Sequence, residues 1–381
     1  MSSRSSWTAA GRRAGTESTL PTVMGDESAS TDPIVASAAR RGRVVSSLPT
    51  LLVMGGAALC FLWHSGGRGY EVQDVTRYSQ MVVEMEHHHT WVPTLNGHAY
   101  FEAMPLAAWA PLGVYRITGR LTPATSRLAT GLATVATVGL TILLGAWVSR
   151  RIGLVAGGLF VLTPLVLVLG RGSRVEAVLA FAVTAALVAF FRGLSERGWR
   201  LVGWAALSGS MIALAFAAKG PYAVALVGSV VAAYCVLERR WRLLAFWSVV
   251  SGAVTVVLTA AWLVPYLRAL GPAESTEFLD QLIGQETVSK FLDGYGKSRP
   301  LWFYGEVLLT NLAPWSLPAL FACVAGLRAW RDNSAIVRFC IVWSGVLLLG
   351  LSLSNGKHAR YLLPCVPPLS VLSALELDRW A

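Results

Sequence analysis

GGRGYEVQDVTRYSQMVVEMEHHHTWVPTLNGHAYFEAMP, residues 66–105, is a polar segment in a chain that is otherwise mostly apolar. An apolar run at 47–63 precedes it, and from Leu106 onward apolar runs continue almost to the C-terminus. Ionisable side chains are expensive inside a membrane, so a membrane protein collects its polar chemistry where such groups are allowed. We call residues 66–105 the first island, and it is the first place to look for function.

The composition is that of a membrane protein. Hydrophobic residues make up 54% of the 381 positions and charged residues only 14%, whereas a soluble chain is about 25% charged. Each membrane span needs roughly 20 largely apolar residues, and this chain has enough of them for many spans. The composition therefore predicts an all-α polytopic membrane protein.

The N-terminal region sets the predicted orientation. Residues 1–46 are rich in Ser, Thr, Ala and Arg, and they predict a disordered cytoplasmic tail rather than a cleaved signal peptide. Arg40, Arg41 and Arg43 stand before the run at 47–63 and are expected to hold its N-terminus inside. The first island would then face the outside, and residues 47–381 would form one membrane domain.

Further apolar segments follow the first island, at about 106–118, 127–148, 152–169, 175–191, 201–218, 221–237, 243–266, 302–327, 336–353 and 361–377. With the first run they predict a bundle of ten or eleven transmembrane helices, and residues 268–300 form a second polar loop. If every segment crosses, Arg150 and Arg151 fall outside, against the positive-inside rule. We therefore expect one segment, such as 106–118 or one arm of 201–237, to be re-entrant or wrongly divided.

The charge balance does not indicate nucleic-acid binding. The net charge of +11 comes from 32 Lys and Arg against 21 Asp and Glu. Many of the arginines form short clusters between apolar runs, as in positive-inside loops, and the chain has no aromatic–basic module. We expect membrane lipids and no nucleic acid as partners.

The five cysteines show no CxxC spacing and are interpreted as packing residues.

Two acids of the first island are candidates for chemistry. Asp74 lies just beyond the first apolar run, three residues before Arg77, so it is either part of a solvated ion pair or a general base for an acceptor hydroxyl. Glu102 lies at the entrance to the next apolar segment. It is either a first-turn acid favoured by the helix dipole or a substrate or metal ligand.

The histidine triplet His87-His88-His89 invites a zinc interpretation, with Glu84 and His98 nearby. Three adjacent histidines do not share one helix face, and no fixed ligand spacing accompanies them. We therefore interpret them as solvated surface residues.

Cations recur at the ends of the apolar segments: Arg171 and Arg174 beside Glu176, Lys219 before Gly220-Pro221, Lys290 and Arg299 in the second polar loop, and Lys357 with Arg360 before the last segment. Cations in such places suit phosphate, to which Arg offers bidentate contacts. The alternatives also stay open: a structural Arg–Glu pair, a Lys that snorkels to the interface, or attraction to anionic lipids alone.

Nucleotide-binding motifs are missing from the sequence. It contains no GxxxxGK[ST], no GxGxxG, no HExxH and no DxD pair. A soluble nucleotide is therefore an unsuitable substrate, and a lipid-borne one fits the chain better.

Several motifs occur in the order found in one family. Asp74-Val75-Thr76-Arg77-Tyr78, Trp91-Val92-Pro93 and Tyr100-Phe101-Glu102 in the first island are followed by Thr163-Pro164, Arg171 with Glu176, Lys219-Gly220-Pro221, Val264-Pro265-Tyr266, Glu286 with Lys290, Pro300 to Tyr304, and Lys357 to Pro364. This order resembles the lipid-linked-sugar glycosyltransferases of the GT-C fold, in particular the bacterial aminoarabinose transferases and protein O-mannosyltransferase-like enzymes. The resemblance covers about residues 50–375.

The chain also departs from that pattern. Val75 stands where relatives have the second acid of an Asp-Glu pair, and Ala103 stands where they have a Lys thought to face the lipid phosphate. Glu176 replaces the usual Asp, Thr287 replaces a His found in some relatives, and the chain ends soon after the last matched segment. The departures at Val75 and Ala103 motivate an alternative, a non-catalytic GT-C-like protein that transports or scaffolds polyprenyl lipid. A transporter should show inverted repeats and charges at mid-span, whereas here the charges gather at segment ends, which favours an enzyme.

The resemblance implies a GT-C-type membrane glycosyltransferase that moves a sugar from a polyprenyl-phosphate carrier to an acceptor hydroxyl on a lipid, glycan or protein. Asp74 is the predicted general base. The predicted substrate- and phosphate-binding residues are Arg77, Tyr78, Glu102, Arg171, Glu176, Lys219, Lys290, Arg299, Lys357 and Arg360. A divalent metal is left open as a cofactor, with Glu102 as its candidate ligand. We expect a multi-pass protein of the cell inner membrane, with a cytoplasmic N-terminus and an extracytoplasmic active site.

Overall fold

The structure, a computed structural model, describes residues 48–67, 69, 73–284 and 299–381. In these ranges the chain is mostly helical, which confirms the predicted all-α fold. The helices are α1 (Leu48–Leu62), α2 (Gln73–His87), α3 (Leu106–Thr118), α4 (Pro123–Ala146), α5 (Arg150–Leu162), α6 (Pro164–Gly170), α7 (Glu176–Gly193), α8 (Gly198–Lys219), α9 (Pro221–Leu237), α10 (Trp241–Asp280), α11 (Phe303–Asn311), α12 (Ser316–Arg328), α13 (Ala335–Leu353) and α14 (Val366–Trp380), with a 3-10 helix at Ala359–Cys365.

Glycine and threonine shape the bundle core. In α4 the side-chain hydroxyls of Thr134, Thr137 and Thr141 each donate to the backbone carbonyl four residues earlier, so they are buried without loss of a hydrogen bond. A Cβ at Gly145 would lie 2.8 Å from the Cα of Gly153, so α4 and α5 approach backbone to backbone. Small residues that allow such close approach are typical of membrane helix interfaces.

Five helices are long and apolar enough to cross a membrane by length and composition, and a sixth span results if the bent pair of α5 and α6 is counted as one. The bend of 64° between α5 and α6 falls at Thr163-Pro164. Proline lacks the N–H that would continue the helix, and it forces the residue before it into an extended conformation. Three shorter apolar helices, α1, α9 and α12, have 15, 17 and 13 residues.

Helix α3 is the predicted segment at 106–118, and its contacts indicate that it does not cross the bundle. Trp109 donates from its indole N–H to the backbone carbonyl of Trp91 at 2.7 Å, and Arg116 forms an ion pair with Glu86 of α2 at 2.7 Å. Five residues after α3 ends, α4 begins at the same end of the molecule. In the described part of the chain, the elements that alternate in direction are then α1, α4, the α5–α6 pair, α7 to α10, the α11–α12 pair, α13 and α14. Five or six of them meet the length and composition of a membrane span, so the total of ten or eleven spans stays a prediction. Without α3 in the alternation, Arg150 and Arg151 return to the end where α1 begins.

Two predicted boundaries differ from the structure. The second polar loop was expected to begin at Arg268, but α10 continues to Asp280, with a single break where Gly271 has φ 80° and ψ 175°. Pro272 follows at a position where its missing N–H costs nothing, so a new helical segment starts there. The segment predicted at 302–327 is divided into α11 and α12, because Pro314 cannot continue a helix.

The first island folds as α2 and a short hairpin. Strands β1 (Thr94–Leu95) and β2 (His98–Ala99) pair antiparallel, and Asn96 and Gly97 form the turn with φ of 54° and 80°. Asn-Gly is the preferred sequence for such a two-residue turn. The Glu84 carboxylate of α2 accepts hydrogen bonds from the backbone N–H groups of both turn residues, at 2.8 and 3.1 Å. Burial raises the pKa of Glu84, but these hydrogen bonds and one from Gln80 outweigh it, so that the pKa lies below its ordinary value.

Candidate functional site

One group of candidate residues lies in the first island. Arg77 donates from Nη1 to the hydroxyl of Tyr100 at 2.6 Å, and that hydroxyl donates to Oε2 of Glu102 at 2.9 Å. Arg77 and Glu102 also form an ion pair at 3.5 Å, with the Glu102 side chain 70% exposed. The structure therefore brings together two residues that the sequence predicted, through a tyrosine that it did not single out. We call Arg77, Tyr100 and Glu102 the island triad.

Tyr100 keeps its proton near neutral pH. Burial raises the pKa of Tyr100, and the neighbouring Glu102 carboxylate adds to this, so that the pKa reaches about 12. The hydroxyl thus remains a hydrogen-bond donor to Glu102, whose other oxygen stays open to solvent. The triad holds a carboxylate at the edge of the bundle in a fixed direction.

A second group of candidates is buried at the ends of three helical elements. Glu176 is the first residue of α7, Lys219 is the last residue of α8, and Arg360 lies in the 3-10 helix. Oε1 of Glu176 lies 3.6 Å from Nζ of Lys219 and 3.1 Å from Nε of Arg360. The Glu176 side chain is only 6% exposed, while those of Lys219 and Arg360 are 20% and 30% exposed. We call these three residues the cation cluster.

The cation cluster carries more positive than negative charge. Among the residues that the structure describes, the Glu176 carboxylate faces both Lys219 and Arg360, and a buried charge is stable only when it is paired. Because both cations keep part of their surface accessible, they can still reach a second anion. Aromatic rings add to the same wall: Nζ of Lys219 lies 5.8 Å and Cζ of Arg360 5.6 Å from the centre of the Tyr361 ring. The arrangement suits a phosphate group that approaches from the open side.

Lys357 extends the cationic wall. It is 3% exposed, and its Nζ donates to the backbone carbonyl of Arg299 at 3.1 Å. The Arg299 guanidinium lies 4.6 Å from the centre of the Phe303 ring. The hydroxyl of Tyr304 donates to the backbone carbonyl of His358 at 3.2 Å, which fixes the segment between Lys357 and Arg360. Two more of the predicted cations, Lys357 and Arg299, are therefore brought together by the segment before α11 and the segment after α13.

Gly220 sets the position of Lys219. It ends α8 and begins α9 with φ 64° and ψ −150°, a region that is essentially restricted to glycine. A Cβ at Gly220 would also lie 2.7 Å from Leu282 and 3.6 Å from the sulfur of Met104. Met104 is two residues from Glu102, so the island triad and the cation cluster lie at the same end of the bundle.

We therefore expect Gly220→Ala to destabilise the protein by about 1–3 kcal/mol, because alanine is strained in this backbone conformation. The change in backbone conformation should also displace Lys219, the preceding residue, from its ion pair with Glu176. Thermal unfolding of the purified protein measures the loss of stability. Gly228→Ala is the matched control, since a Cβ there meets nothing within 4 Å; equal losses for the two variants would contradict the role of Gly220.

A second aromatic core packs behind the island triad. Trp91 stacks on Trp109 with ring centres 5.5 Å apart, and both contact Tyr266 of α10 edge to face. Phe101 meets Phe278 in the same way at 5.7 Å. These contacts connect the first island to α10, including the helical part beyond Arg268. The Trp91-Val92-Pro93 and Val264-Pro265-Tyr266 motifs thus supply packing rather than reactive groups.

Arg127 is a positioning residue that the sequence analysis missed. It is 4% exposed at the start of α4, and it donates to the backbone carbonyls of Ser65 and Gly69 at 2.6 and 2.8 Å. It therefore fixes the chain that leads from α1 toward α2. Its signal in the sequence was an arginine at the first position of the apolar run 127–148.

The remaining predicted residues have different surroundings. Tyr78 is 8% exposed and packs in the main hydrophobic core. Arg171 lies half-buried between α6 and α7. Asp74 is the second residue of α2, but its side chain lies outside the described part of the structure, and so does all of Lys290. The roles assigned to these four residues stay predictions.

Two of the departures from the family pattern, Val75 and Ala103, are packing residues. Val75 is 1% exposed, and Ala103 packs against the main core. Among the described residues, no three His, Cys, Asp or Glu side chains come together as a metal-ligand group, and the rings of His87 and His88 simply contact each other. Glu102 has the cationic Arg77 as its neighbour, which does not favour a divalent metal at that carboxylate.

Comparison with known proteins agrees with the family resemblance of the sequence motifs. A sequence profile of the family described as dolichyl-phosphate-mannose-protein mannosyltransferase matches residues 68–272, more than half of the chain. An undecaprenyl phosphate-alpha-4-amino-4-deoxy-L-arabinose arabinosyl transferase 2 from Pseudomonas fluorescens is 28% identical over 344 residues, which are 87% of this chain and 56% of that protein. A transferase of the same name, without the numeral, from Yersinia pestis is 28% identical and covers 79% of this chain and 54% of its own length. The chain thus spans little more than half the length of these relatives.

Solved structures show the same fold. The ArnT protein from Cupriavidus metallidurans, crystallised with undecaprenyl phosphate, superimposes with a TM-score of 0.77 at 21% identity, over 87% of this chain and 60% of its own. The archaeal oligosaccharyltransferase AglB from Archaeoglobus fulgidus gives a TM-score of 0.60 at 14% identity, over 86% of this chain and 50% of its own. At these identities the likeness establishes the fold alone.

Proposed function

Because the chain belongs to the dolichyl-phosphate-mannose-protein mannosyltransferase family, we propose that it transfers a sugar from a polyprenyl-phosphate carrier to an acceptor hydroxyl. The names of the Pseudomonas fluorescens and Yersinia pestis transferases contain undecaprenyl phosphate, and the ArnT protein from Cupriavidus metallidurans was crystallised with it. A polyprenyl-phosphate sugar is therefore the proposed donor. The acceptor is a hydroxyl of a lipid, glycan or protein.

The observation that carries this proposal is the convergence of Lys219 and Arg360 on Glu176 at one end of the bundle. A lipid-linked donor presents its phosphate at the membrane boundary, where the spans end. Lys219 and Arg360 are two partly accessible cations at this boundary, and Lys357 precedes Arg360 by three residues. They fit a phosphate that is bound and then released as a leaving group.

The proposed reaction breaks one bond and forms another. The acceptor oxygen bonds to the anomeric carbon of the sugar while the bond from that carbon to the phosphate oxygen breaks. The bonding pair leaves with the phosphate, and Lys219 and Arg360 stabilise its growing charge. The hydroxyl proton passes to the Asp74 carboxylate as general base. The island triad holds Glu102 toward the sugar or acceptor.

The protein is an integral membrane protein, as its apolar helices indicate. We further propose that it lies in the cell inner membrane with the cation cluster and the island triad at the extracytoplasmic face. The positive-inside rule supports this orientation, because Arg150, Arg151 and the Arg239-Arg240 pair lie at the opposite end of the bundle.

A deletion strain tests the proposal. We expect a polyprenyl-phosphate-linked sugar to accumulate in its membranes, identified by mass spectrometry, and to disappear when the wild-type chain is restored. A chain with Lys219→Gln should not remove it, because one cation that stabilises the leaving phosphate is lost; an immunoblot shows that the variant is present. If no lipid-linked sugar accumulates in the deletion strain, the protein is not a polyprenyl-phosphate-dependent transferase.

A further inference from the structure

A cleft lies at the opposite end of the bundle from the cation cluster. It encloses about 490 Å³ and is lined by Leu237, Glu238, Arg239, Trp330, Arg331 and Arg338. Helix α9 begins next to Lys219 and ends at this cleft after 17 residues, which separates the two sites by about 25 Å. The proposed transfer reaction makes no use of this cleft.

One wall of the cleft is a closed ion pair. Arg338 of α13 donates from Nε and Nη2 to the two carboxylate oxygens of Glu238, at 2.7 and 3.2 Å. Its Nη1 donates to the backbone carbonyl of Asn333 at 2.7 Å. The charges of Arg338 and Glu238 cancel, and the pair connects the end of α9 to the start of α13. This wall is rigid and electrically neutral.

The other two arginines are not neutralised. Arg239 and Arg331 are exposed, and neither forms an ion pair with any residue that the structure describes. They face the same cleft from two different loops, one after α9 and one after α12. Within the described part of the chain, the cleft therefore carries two positive charges without an ion-pair partner, and Trp330 lies beside them.

Arg239 holds its position at a cost in backbone strain. Its φ is 54°, its N–H donates to the carbonyl of Val236, and the N–H of Arg240 donates to the carbonyl of Cys235 at 2.7 Å. These two hydrogen bonds form a Schellman motif at the C-terminus of α9. The residue with the left-handed conformation in this motif is usually glycine. A residue other than glycine there costs about 1–3 kcal/mol, and such strain is concentrated at functional positions.

We propose that this cleft binds the phosphate-bearing headgroup of an anionic membrane lipid. Arg239 and Arg331 contact the phosphate, since guanidinium groups bind phosphate through paired hydrogen bonds. The surroundings indicate a lipid rather than a free anion: Leu237, 57% exposed, ends an apolar helix at the cleft, and tryptophan prefers the membrane boundary. The volume is that of a site for a small molecule or a headgroup.

The test uses the purified full-length protein in a neutral detergent. Native mass spectrometry counts the molecules of phosphatidylglycerol and of phosphatidylcholine that remain bound. We expect phosphatidylglycerol to be retained preferentially, and Arg239→Gly and Arg331→Gln each to weaken its binding about fivefold. The unfolding temperature of Arg239→Gly should not fall below that of wild type, because glycine relieves the left-handed strain. If Arg239→Gly binds less phosphatidylglycerol but unfolds at the same temperature as wild type, Arg239 contributes to lipid binding and is not needed for folding.

Arg328→Gln is the matched control. It removes the same charge from the end of α12, three residues from Arg331, but Arg328 does not line the cleft. An equal loss of phosphatidylglycerol in this variant would show diffuse attraction and overturn the proposed site. Equal retention of phosphatidylcholine by the wild type would do the same. Displacement of the lipid by equimolar inorganic phosphate would overturn the lipid assignment in favour of a free phosphate. None of these outcomes depends on sugar transfer.

Discussion

Purified protein with Asp74→Asn is expected to transfer sugar about 10²- to 10⁴-fold more slowly than wild type, the usual contribution of a general base. The asparagine keeps the shape of the side chain but cannot take up the acceptor proton at neutral pH. Asp74 is the second residue of α2, so its charge adds less than about 1 kcal/mol to helix stability through the dipole. Donor binding should change little. The measurement is the initial rate of polyprenyl phosphate release.

Glu86→Gln is the control for this prediction. Glu86 lies three turns further along α2 and forms an ion pair with Arg116 at the surface, with 31% of its side chain exposed. Its substitution removes the same charge from the same helix and should leave the transfer rate near that of wild type. If Asp74→Asn and wild type transfer sugar at the same rate, Asp74 is not the base.

Glu176→Gln should be the most damaging change within the cation cluster. It leaves Lys219 and Arg360 without the carboxylate that pairs them, and breaking a buried pair costs about 3–5 kcal/mol. We expect the lower end of that range, because the two cations are 20% and 30% exposed. Thermal unfolding of the purified protein measures the loss. Polyprenyl phosphate should restore more stability to this variant than to wild type, since its phosphate replaces the missing negative charge.

Glu196→Gln provides the comparison. Glu196 follows the far end of α7 and pairs with Arg192, with 14% of its side chain exposed, so its burial resembles that of Glu176. This variant should lose stability without gaining any extra response to polyprenyl phosphate. If the lipid stabilises Glu196→Gln and Glu176→Gln equally, the cation cluster does not bind the phosphate.

Much of the fold could be predicted because a membrane helix needs a continuous run of apolar residues, and such a run is visible in the sequence. The segment expected at 221–237 coincides with α9, and the one at 336–353 differs from α13 by a single residue. The sequence predicts a break between two helices at Lys219-Gly220-Pro221. Glycine and proline end helices through their own backbone properties, whatever residues pack around them. Such features depend on neighbours in the chain, so a sequence contains them.

Other features depend on partners far away in the chain. Helix α3 is as apolar as a short span, and only its contacts with Trp91 and Glu86 show that it lies along the first island. Arg268 suggested a loop, but α10 continues because Tyr266 and Phe278 pack against the aromatic core of the island. Arg127 has an unremarkable position in the sequence, and its function depends on carbonyl groups 58 and 62 residues away.

The first island and the cations at the segment ends were determined by the sequence alone, because charge and polarity in an apolar chain can lie only where water or a polar partner receives them. The tertiary structure decided which of them meet. It paired Glu176 with Lys219 and Arg360 across 43 and 184 positions of sequence, respectively, and it joined Arg77 to Glu102 through Tyr100. Distances of a few ångströms between remote residues arise from the packing of whole helices, and no local pattern specifies them.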